Sequence, residues 1–284
     1  MALRDSTMKL PNLSYMMSVG ELRYIQSHFE KGAARGPDGL VGGFLPWSKR
    51  LGCWVRGTLL LPKLRANPFY AYLNARTKYY DQVFGEALDG SITRIVNIGC
   101  GSDTRAQRFA GPLRAHHVEV LECDQGPAIR AKEQLARRLW GASDHVAYQP
   151  IDLEAGAWPA LEAWLARGAA APTLVMLEGV SPYVGQEAFA TFLRMLSSKL
   201  HPASTFAYDF KLRGVADDFG GAPGSGRFRL SADREEVTRY HRDLGFQVDH
   251  MELSSALSRR LQPGPGPLFE EDCLLRLSLP AAGS

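Results

Sequence analysis

From residue 93 onward, short apolar runs alternate with longer stretches in which apolar residues recur every three or four positions. The short runs are rich in β-branched residues and bounded by turn residues, which is typical of strands, whereas the longer stretches are typical of amphipathic helices. The predicted strands are 93–98, 118–122, 146–151, 173–177 and 205–210. Helices are predicted after the turn that follows residue 98 and at 128–140, 159–167 and 187–200. This alternation predicts parallel β-α units.

The C-terminal region follows a different pattern. After a glycine-rich loop (214–226), Ser231 is predicted to N-cap a helix that ends at Gly245. Two strands, 246–253 and 273–279, follow, and we predict that their Pro/Gly-rich connection contains no helix. Strands without a crossover helix are most simply antiparallel neighbours. The pattern therefore predicts a doubly wound α/β fold closed by an antiparallel strand pair. This layout resembles the seven-stranded sheet of class I methyltransferases, and the resemblance implies the strand order 3-2-1-4-5-7-6 with the last strand antiparallel.

The first ninety residues contain no clear strand. Helical spacing is found at 22–29 and 70–88, and a glycine-rich stretch at 32–43 separates the first helix from an apolar, basic segment at 46–64. We therefore expect a helical N-terminal cap or lid (1–90) on an α/β domain (91–284), with the 32–43 loop as a plausible hinge.

Composition excludes several classes of protein. The chain has 284 residues, 45% of them hydrophobic, and a net charge of +3, which gives no electrostatic case for nucleic acid. No apolar run is long enough to span a bilayer and no signal peptide is evident, so we expect a cytoplasmic protein without a membrane partner. The four cysteines lie far apart, without metal-ligand spacing, and are expected to be free thiols.

A glycine turn ends the first predicted strand. Gly99 and Gly101 let the backbone turn sharply and approach a ligand, but residue 104 is Thr, so the glycine pattern of a dinucleotide site is incomplete. Asp103 would repel a diphosphate and suits a ligand with a cationic amino-acid end. A tight turn without a ligand is the alternative.

Acidic residues follow the second and third predicted strands. Glu122 or Asp124 is placed to accept hydrogen bonds from the ribose hydroxyls of an adenosyl group, and a helix cap is the alternative role. Asp152 is placed to accept from an adenine amino group, with Leu153 covering the ring; a turn aspartate is the alternative.

The loop after the fourth predicted strand begins with Glu178-Gly179. A carboxylate at this position faces the ammonium or sulfonium end of the same ligand. Ser181 and Tyr183 follow, and Tyr183 can present a hydroxyl or a ring face to a cation. A generic loop is the alternative.

A further candidate lies before the sheet. In a helix, Arg76 and Tyr80 share one face, and the Arg76 guanidinium can hold a carboxylate with two hydrogen bonds. Small, apolar and aromatic neighbours favour a ligand role for Arg76, whereas a solvated face explains Lys78.

Taken together, these motifs resemble the leucine carboxyl methyltransferase family, which includes carboxyl and O-methyltransferases of natural-product pathways. The resemblance covers roughly residues 70–210 and rests on Ala75-Arg76-Thr77, Asn97-Ile98-Gly99-Cys100-Gly101-Ser102-Asp103-Thr104-Arg105, Glu122-Cys123-Asp124 and Leu177-Glu178-Gly179-Val180. It implies that the cofactor is S-adenosyl-L-methionine. It also implies contacts from Arg76 to the cofactor carboxylate, Gly99 and Gly101 to the methionine moiety, Glu122 or Asp124 to ribose, Asp152 and Leu153 to adenine, and Glu178 to the amino-acid end.

The resemblance leaves the acceptor open, because Ser102, Ser181-Pro182 and the N-terminal cap depart from the family pattern. Methylation of a small-molecule carboxylate or hydroxyl in secondary metabolism is the leading hypothesis, with Tyr183, Ser181 and Tyr80 as candidate catalytic residues. The alternative enzyme is a cyclase that converts S-adenosylmethionine to azetidine-2-carboxylate and methylthioadenosine. A non-catalytic cofactor-binding protein and a nicotinamide oxidoreductase are the remaining hypotheses.

Overall fold

The predicted strands form one mixed seven-stranded sheet in a computed structural model that describes residues 18–215 and 226–280. The strands are β1 Arg94–Ile98, β2 Glu119–Asp124, β3 Val146–Pro150, β4 Thr173–Leu177, β5 Thr205–Lys211, β6 Gln247–Leu253 and β7 Asp272–Ser278. Their order is β3-β2-β1-β4-β5-β7-β6, and β7 is antiparallel to both of its neighbours. The predicted fold class and strand order are confirmed.

The register brings the carboxyl ends of three central strands together. Ile98 at the end of β1 pairs with Cys123 of β2 on one side and with Leu177 of β4 on the other. The loops that begin after these residues therefore leave the same edge of the sheet, at the point where the strand order reverses. Ligands of open α/β sheets bind at this position.

Helices cover both faces of the sheet. They are α1 Val19–Phe29, α2 Trp47–Leu59, α3 Leu61–Arg65, α4 Pro68–Asp89, α5 Arg105–Arg108, α6 Ala110–Ala115, α7 Gly126–Trp140, α8 Pro159–Arg167, α9 Gln186–Lys199, α10 Arg234–Arg242 and α11 Ser254–Leu261. Leu161, Phe192 and Val237 of α8, α9 and α10 belong to the core on one face. Phe84 of α4 and Leu257 of α11 belong to the core on the other.

Two local predictions in the C-terminal region are wrong. The connection between β6 and β7 contains α11, which forms because Ser254, Leu257 and Ser258 present a buried face, while the Pro/Gly-rich stretch (263–267) only follows it. The N-cap of the preceding helix is Asp233, whose side chain accepts a hydrogen bond from the Glu235 backbone, and not Ser231. The expected antiparallel pairing of β6 with β7 is nevertheless confirmed.

The N-terminal helices join the rest of the fold through α4. Helices α1 to α3 share a small apolar core that includes Leu22, Ile25 and Cys53, and α4 adds Tyr70 and Leu73 to it. The rest of α4 packs on the sheet. The boundary between cap and α/β domain at residue 90 stays a prediction. Residues 1–17 of the predicted cap and 216–225 of the predicted glycine-rich loop lie outside the described residues.

Candidate functional site

The glycine turn after β1 is a tight, glycine-dependent structure. Gly99 and Gly101 have φ angles of +65° and +41°. A Cβ placed on Gly99 would lie 2.1 Å from Val180 Cγ2, so a side chain at this position would collide with the loop after β4. The turn therefore brings bare backbone to the edge of the sheet between the β2 and β4 loops.

Asp124 and Glu122, which the sequence left as alternatives, have different environments. Asp124 is partly exposed and accepts hydrogen bonds from the backbone N–H groups of Gly101 and Gln125, both at 2.7 Å. Glu122 is fully buried, and its Oε2 lies 2.9 Å from Lys132 Nζ. Burial raises the pKa of Glu122, although Lys132 opposes this change. The geometry favours Asp124 as the carboxylate available to a ligand.

A cavity of about 360 Å³ lies beside Asp124, lined by Gln125–Pro127 and by Pro150–Asp152. The exposed Asp152 carboxylate accepts a hydrogen bond from the Glu154 backbone. Ile151 and Leu153 both belong to the buried core of the domain, and of the two only Ile151 lines the cavity. The geometry therefore favours Ile151 over Leu153 as the side chain that could cover a planar group here.

Glu178 lies at the centre of a buried cluster of three arginines. Arg105 Nη1 donates to its Oε2 at 2.8 Å, Arg23 Nη2 donates to its Oε1, and Arg76 Nε lies 3.4 Å from the same oxygen. Burial opposes ionisation of this carboxyl, but attraction by Arg23, Arg105 and Arg76 outweighs it and lowers the pKa of Glu178 to about 2. Glu178 is therefore a carboxylate throughout the physiological pH range.

Asp103 is held by protein groups and is not placed towards the cavity. Its Oδ2 accepts from Arg105 Nη1 at 2.6 Å and from Asn97 Nδ2 at 2.9 Å, and its Oδ1 accepts from the Arg105 backbone at 2.7 Å. Although burial opposes ionisation, Arg105 and neighbouring cations lower the pKa of Asp103 well below its usual range. The sequence placed Asp103 against a ligand, whereas the structure places it as the support of Arg105.

Asp209 of β5 contacts Tyr80 and Arg76, the two residues that the sequence places on one face of a helix. Its Oδ1 accepts from Tyr80 Oη at 2.8 Å and from the Gly179 backbone at 2.7 Å, and its Oδ2 lies 3.4 Å from Arg76 Nη1. Arg76 Nε has no partner with hydrogen-bond geometry within the described parts of the chain. Asp209 thus holds Arg76 through Nη1, and the Nε–H of Arg76 remains on the side of Glu178.

The three predicted catalytic side chains differ in accessibility. Tyr80 is fully buried with its hydroxyl bound to Asp209, and the buried Ser181 hydroxyl donates to the Asp209 backbone carbonyl at 2.6 Å. Tyr183 is half exposed. The geometry therefore favours Tyr183 for contact with a substrate, and it favours Tyr80 and Ser181 as groups that position the β4 loop.

Helix α1 attaches the cap to the glycine turn. A Cβ placed on Gly20 would lie 2.8 Å from Ser102 Oγ, so the Ser102 side chain approaches the bare backbone of Gly20 closely. Further along α1, Arg23 reaches Glu178 and donates from Nε to Thr77 Oγ1 at 3.2 Å. Asp38 accepts from the Thr104 hydroxyl and from the Val41 backbone. The first helix and the loop after it therefore form part of the site wall.

Sequence reasoning missed four residues of this site: Arg23, Asp38, Arg105 and Asp209. Two of them had a detectable signal. Asp209 is an acidic residue between the aromatic residues Tyr208 and Phe210 of a buried strand, and a buried carboxylate requires a partner. Arg105 directly follows the Gly-x-Gly-x-Asp-Thr run. Arg23 and Asp38 have no local signal, because their partners lie far away in the sequence.

Comparison with known proteins agrees with this architecture. Residues 61–197 match the family model described as leucine carboxyl methyltransferase. Over 208 residues the chain is 31% identical to a candidate S-adenosyl-L-methionine-dependent methyltransferase of Mycobacterium ulcerans, a match that covers 68% of this chain and 66% of the relative. A protein of Mycolicibacterium paratuberculosis with the same description is 33% identical over 144 residues, or 50% of this chain and 45% of the relative. The matches thus span about half to two thirds of the length of these curated relatives.

A solved structure shows the same fold. The crystal structure of a candidate methyltransferase from Thermobifida fusca superposes with a TM-score of 0.57, covering 97% of this chain and 100% of the other. The two sequences are 12% identical, so this likeness concerns the fold alone.

Proposed function

Because residues 61–197 match the leucine carboxyl methyltransferase family model and the relatives are described as S-adenosylmethionine-dependent methyltransferases, we propose that the chain transfers a methyl group from S-adenosylmethionine to a carboxylate or hydroxyl of a small molecule. One observation carries the proposal. The bare backbone of Gly99–Gly101 faces the partly exposed Asp124 carboxylate at the edge where the strand order reverses, beside a cavity large enough for a planar ring.

The residues at this edge fit the chemistry of the proposed cofactor. The Asp124 carboxylate can accept hydrogen bonds from two vicinal hydroxyls, and the cavity beside Ile151 and Asp152 can take adenine. Arg76 Nε has no hydrogen bond within the described ranges and lies 3.4 Å from Glu178 Oε1, so a ligand carboxylate bound there would share the Arg76 guanidinium with Glu178. Glu178, which is ionised at physiological pH, suits an ammonium.

The chain itself has little covalent chemistry to perform. S-adenosylmethionine supplies a sulfonium methyl group that needs no further activation. The protein contributes by holding an acceptor oxygen in line and by excluding water. Tyr183, half exposed at the end of the β4 loop, is the residue we propose to orient the acceptor. A carboxylate acceptor is already ionised at neutral pH, so no strong base is required.

Cyclisation of S-adenosylmethionine is the second candidate, favoured by the way that α1 and Arg23 cover the Glu178 end of the site. This reaction requires a neutral amine as the nucleophile. Three arginines beside Glu178 disfavour a neighbouring ammonium, whereas Glu178 itself favours it. Since the pKa of Glu178 is lowered to about 2, Glu178 can orient an amine but is a weak proton acceptor.

The two reactions are separated by their products. The purified full-length chain is incubated with S-adenosylmethionine, first alone and then with a panel of carboxylic and hydroxy acids, and the products are read by mass spectrometry. S-adenosylhomocysteine with a methylated acid supports the methyltransferase. Methylthioadenosine with azetidine-2-carboxylate from the cofactor alone supports the cyclase and contradicts methyl transfer. Bound but intact cofactor across the whole panel contradicts both enzymes and favours a non-catalytic binding protein.

A further inference from the structure

Helix α2 exposes its apolar face to solvent. Five large apolar side chains on this helix are 42 to 72% exposed: Trp47, Leu51, Trp54, Val55 and Leu59. At 100° per residue they fall on one continuous arc of the helix surface. Surface helices of globular proteins normally turn such an arc towards the core. Two largely exposed tryptophans on one helix, with no described part of the chain covering them, form a surface that needs an explanation.

The opposite face of α2 is the one that packs on the protein. Cys53 and Gly57 are buried, and a Cβ on Gly57 would lie 2.5 Å from the Phe29 ring of α1. Lys49 and Arg56 turn towards the buried Glu21 of α1. Because α1 lies between α2 and the glycine turn, the exposed face points away from the candidate cofactor site and does not line it.

The surroundings of this face are strongly basic. Residues 39–80 contain no Asp or Glu, and residues 46–65 contain five basic residues: Lys49, Arg50, Arg56, Lys63 and Arg65. The carboxylate of Glu21 pairs with both Lys49 and Arg56 and neutralises one of their two positive charges. The carboxylate of Glu30 neutralises Arg65. Arg50 and Lys63 have no carboxylate within 4 Å in the ranges that the structure describes. A net positive charge therefore surrounds the exposed tryptophans.

The apolar arc and the positive charge around it together indicate which kind of partner can bind the exposed face of α2. A second copy of the chain would bring the same basic residues face to face, which an isologous interface disfavours. A helix that carries Trp and Leu on one side and Lys and Arg beside them has the composition of helices that lie in the interface of an anionic bilayer. The tryptophan ring is suited to that depth because it joins an apolar body to a polar N–H.

We propose that the exposed face of α2, formed by Trp47, Leu51, Trp54, Val55 and Leu59 with Arg50 at its rim, docks on an anionic phospholipid surface. No helix among the described residues is long and apolar enough to cross a membrane. The docking is peripheral, through insertion of the apolar arc and attraction of the basic rim. Such docking differs from the expectation of no membrane partner, because that expectation considered only segments that span the bilayer.

The test is co-sedimentation of the full-length protein with vesicles of phosphatidylcholine alone and with about 30% phosphatidylglycerol. We expect binding to the anionic vesicles, at least tenfold weaker binding to the neutral ones, and release in about 0.5 M NaCl. The double variant Trp47→Ser, Trp54→Ser and the variant Arg50→Glu are each expected to weaken binding about tenfold or more. Arg239→Glu, an equal charge change on the exposed surface of α10, serves as the matched control and should bind like the native chain.

Tryptophan fluorescence gives a second readout. Addition of anionic vesicles should shift the emission of the native chain to shorter wavelength, and the double variant should lack this shift while keeping the native circular dichroism spectrum. Absence of binding to any vesicle overturns the proposal, and so does equal binding by the double variant. A concentration-dependent dimer that the double variant abolishes also overturns it, because the face is then occupied by a second copy.

Discussion

Replacing Glu178 by glutamine removes the charge that holds three buried guanidinium groups together. Burial alone would raise the pKa of this carboxyl, but Arg23, Arg105 and Arg76 lower it from the ordinary 4.5 to about 2. That difference corresponds to about 3 kcal/mol of folding free energy, because one pKa unit is worth about 1.4 kcal/mol. Removal of one partner from a buried ion pair costs a similar amount, about 3 to 5 kcal/mol. We therefore expect Glu178→Gln to lower the free energy of unfolding by about 3 kcal/mol at pH 7.

The pH dependence of this effect has a definite sign. A carboxyl whose pKa is lower in the folded chain stabilises the fold at pH values above its unfolded pKa. This contribution is lost as the pH falls from about 4.5 towards 2. The difference between native chain and variant should thus be constant from pH 7 to about 5 and then shrink by up to about 1 kcal/mol per pH unit.

Urea unfolding followed by circular dichroism at a series of pH values measures this difference. Glu270→Gln is the matched control, since it makes the same chemical change at an exposed position in the loop before β7 and should stay within about 0.5 kcal/mol of the native chain. A loss below about 1 kcal/mol for Glu178→Gln at pH 7, or a loss that does not shrink in acid, would refute the buried-ion account.

Three further perturbations test other parts of the site. Gly99→Ala is expected to lower the free energy of unfolding in urea by about 2 kcal/mol or more, because its Cβ would lie 2.1 Å from Val180. Gly85→Ala, in open space on α4, is the control and should leave this free energy unchanged or raise it. Asp209→Asn should weaken binding of S-adenosylhomocysteine at least tenfold in calorimetry, since Arg76 loses its supporting charge; unchanged affinity would remove Asp209 from the site. The pKa of Asp272 is raised from 3.8 to about 6 by burial and by Asp209, so the stability of the fold falls as the pH rises from about 3.8 to 6 and stays lower above that range. Asp272→Asn should therefore raise the free energy of unfolding by up to about 3 kcal/mol at pH 8 but not at pH 4, and an equal effect at both values would contradict this cause.

The sheet was predictable from the sequence because its pattern is local. Each parallel strand is a short apolar run followed by an amphipathic helix, and the strand order follows from the fold class. The helix α11 was missed because proline and glycine at 263–267 dominate the composition of a connection whose first half is helical. Asp233 was missed as a cap because Ser231, two residues earlier, is an equally good capping residue.

The residues of the candidate site that follow directly after a strand could be predicted from the sequence. Those that other parts of the fold contribute were harder to predict. Asp124 and Glu178 follow directly from the position of their strands. Arg23 donates to Glu178 across 155 residues of sequence, and no periodicity or spacing encodes such a contact. The protein partners of Asp103 and Tyr80, Arg105 and Asp209, could not be predicted either, because only tertiary packing brings them together.

Calorimetric titration of the full-length chain with S-adenosylmethionine tests most directly the claim that the carboxyl edge of the sheet holds this cofactor. We predict saturable one-to-one binding that Asp124→Asn weakens at least tenfold, because the amide cannot accept hydrogen bonds from both ribose hydroxyls. Asp144→Asn, the same change in the loop before β3, should leave the affinity unchanged. Absence of binding by the native chain, or equal affinity of the Asp124→Asn variant, would contradict the assignment.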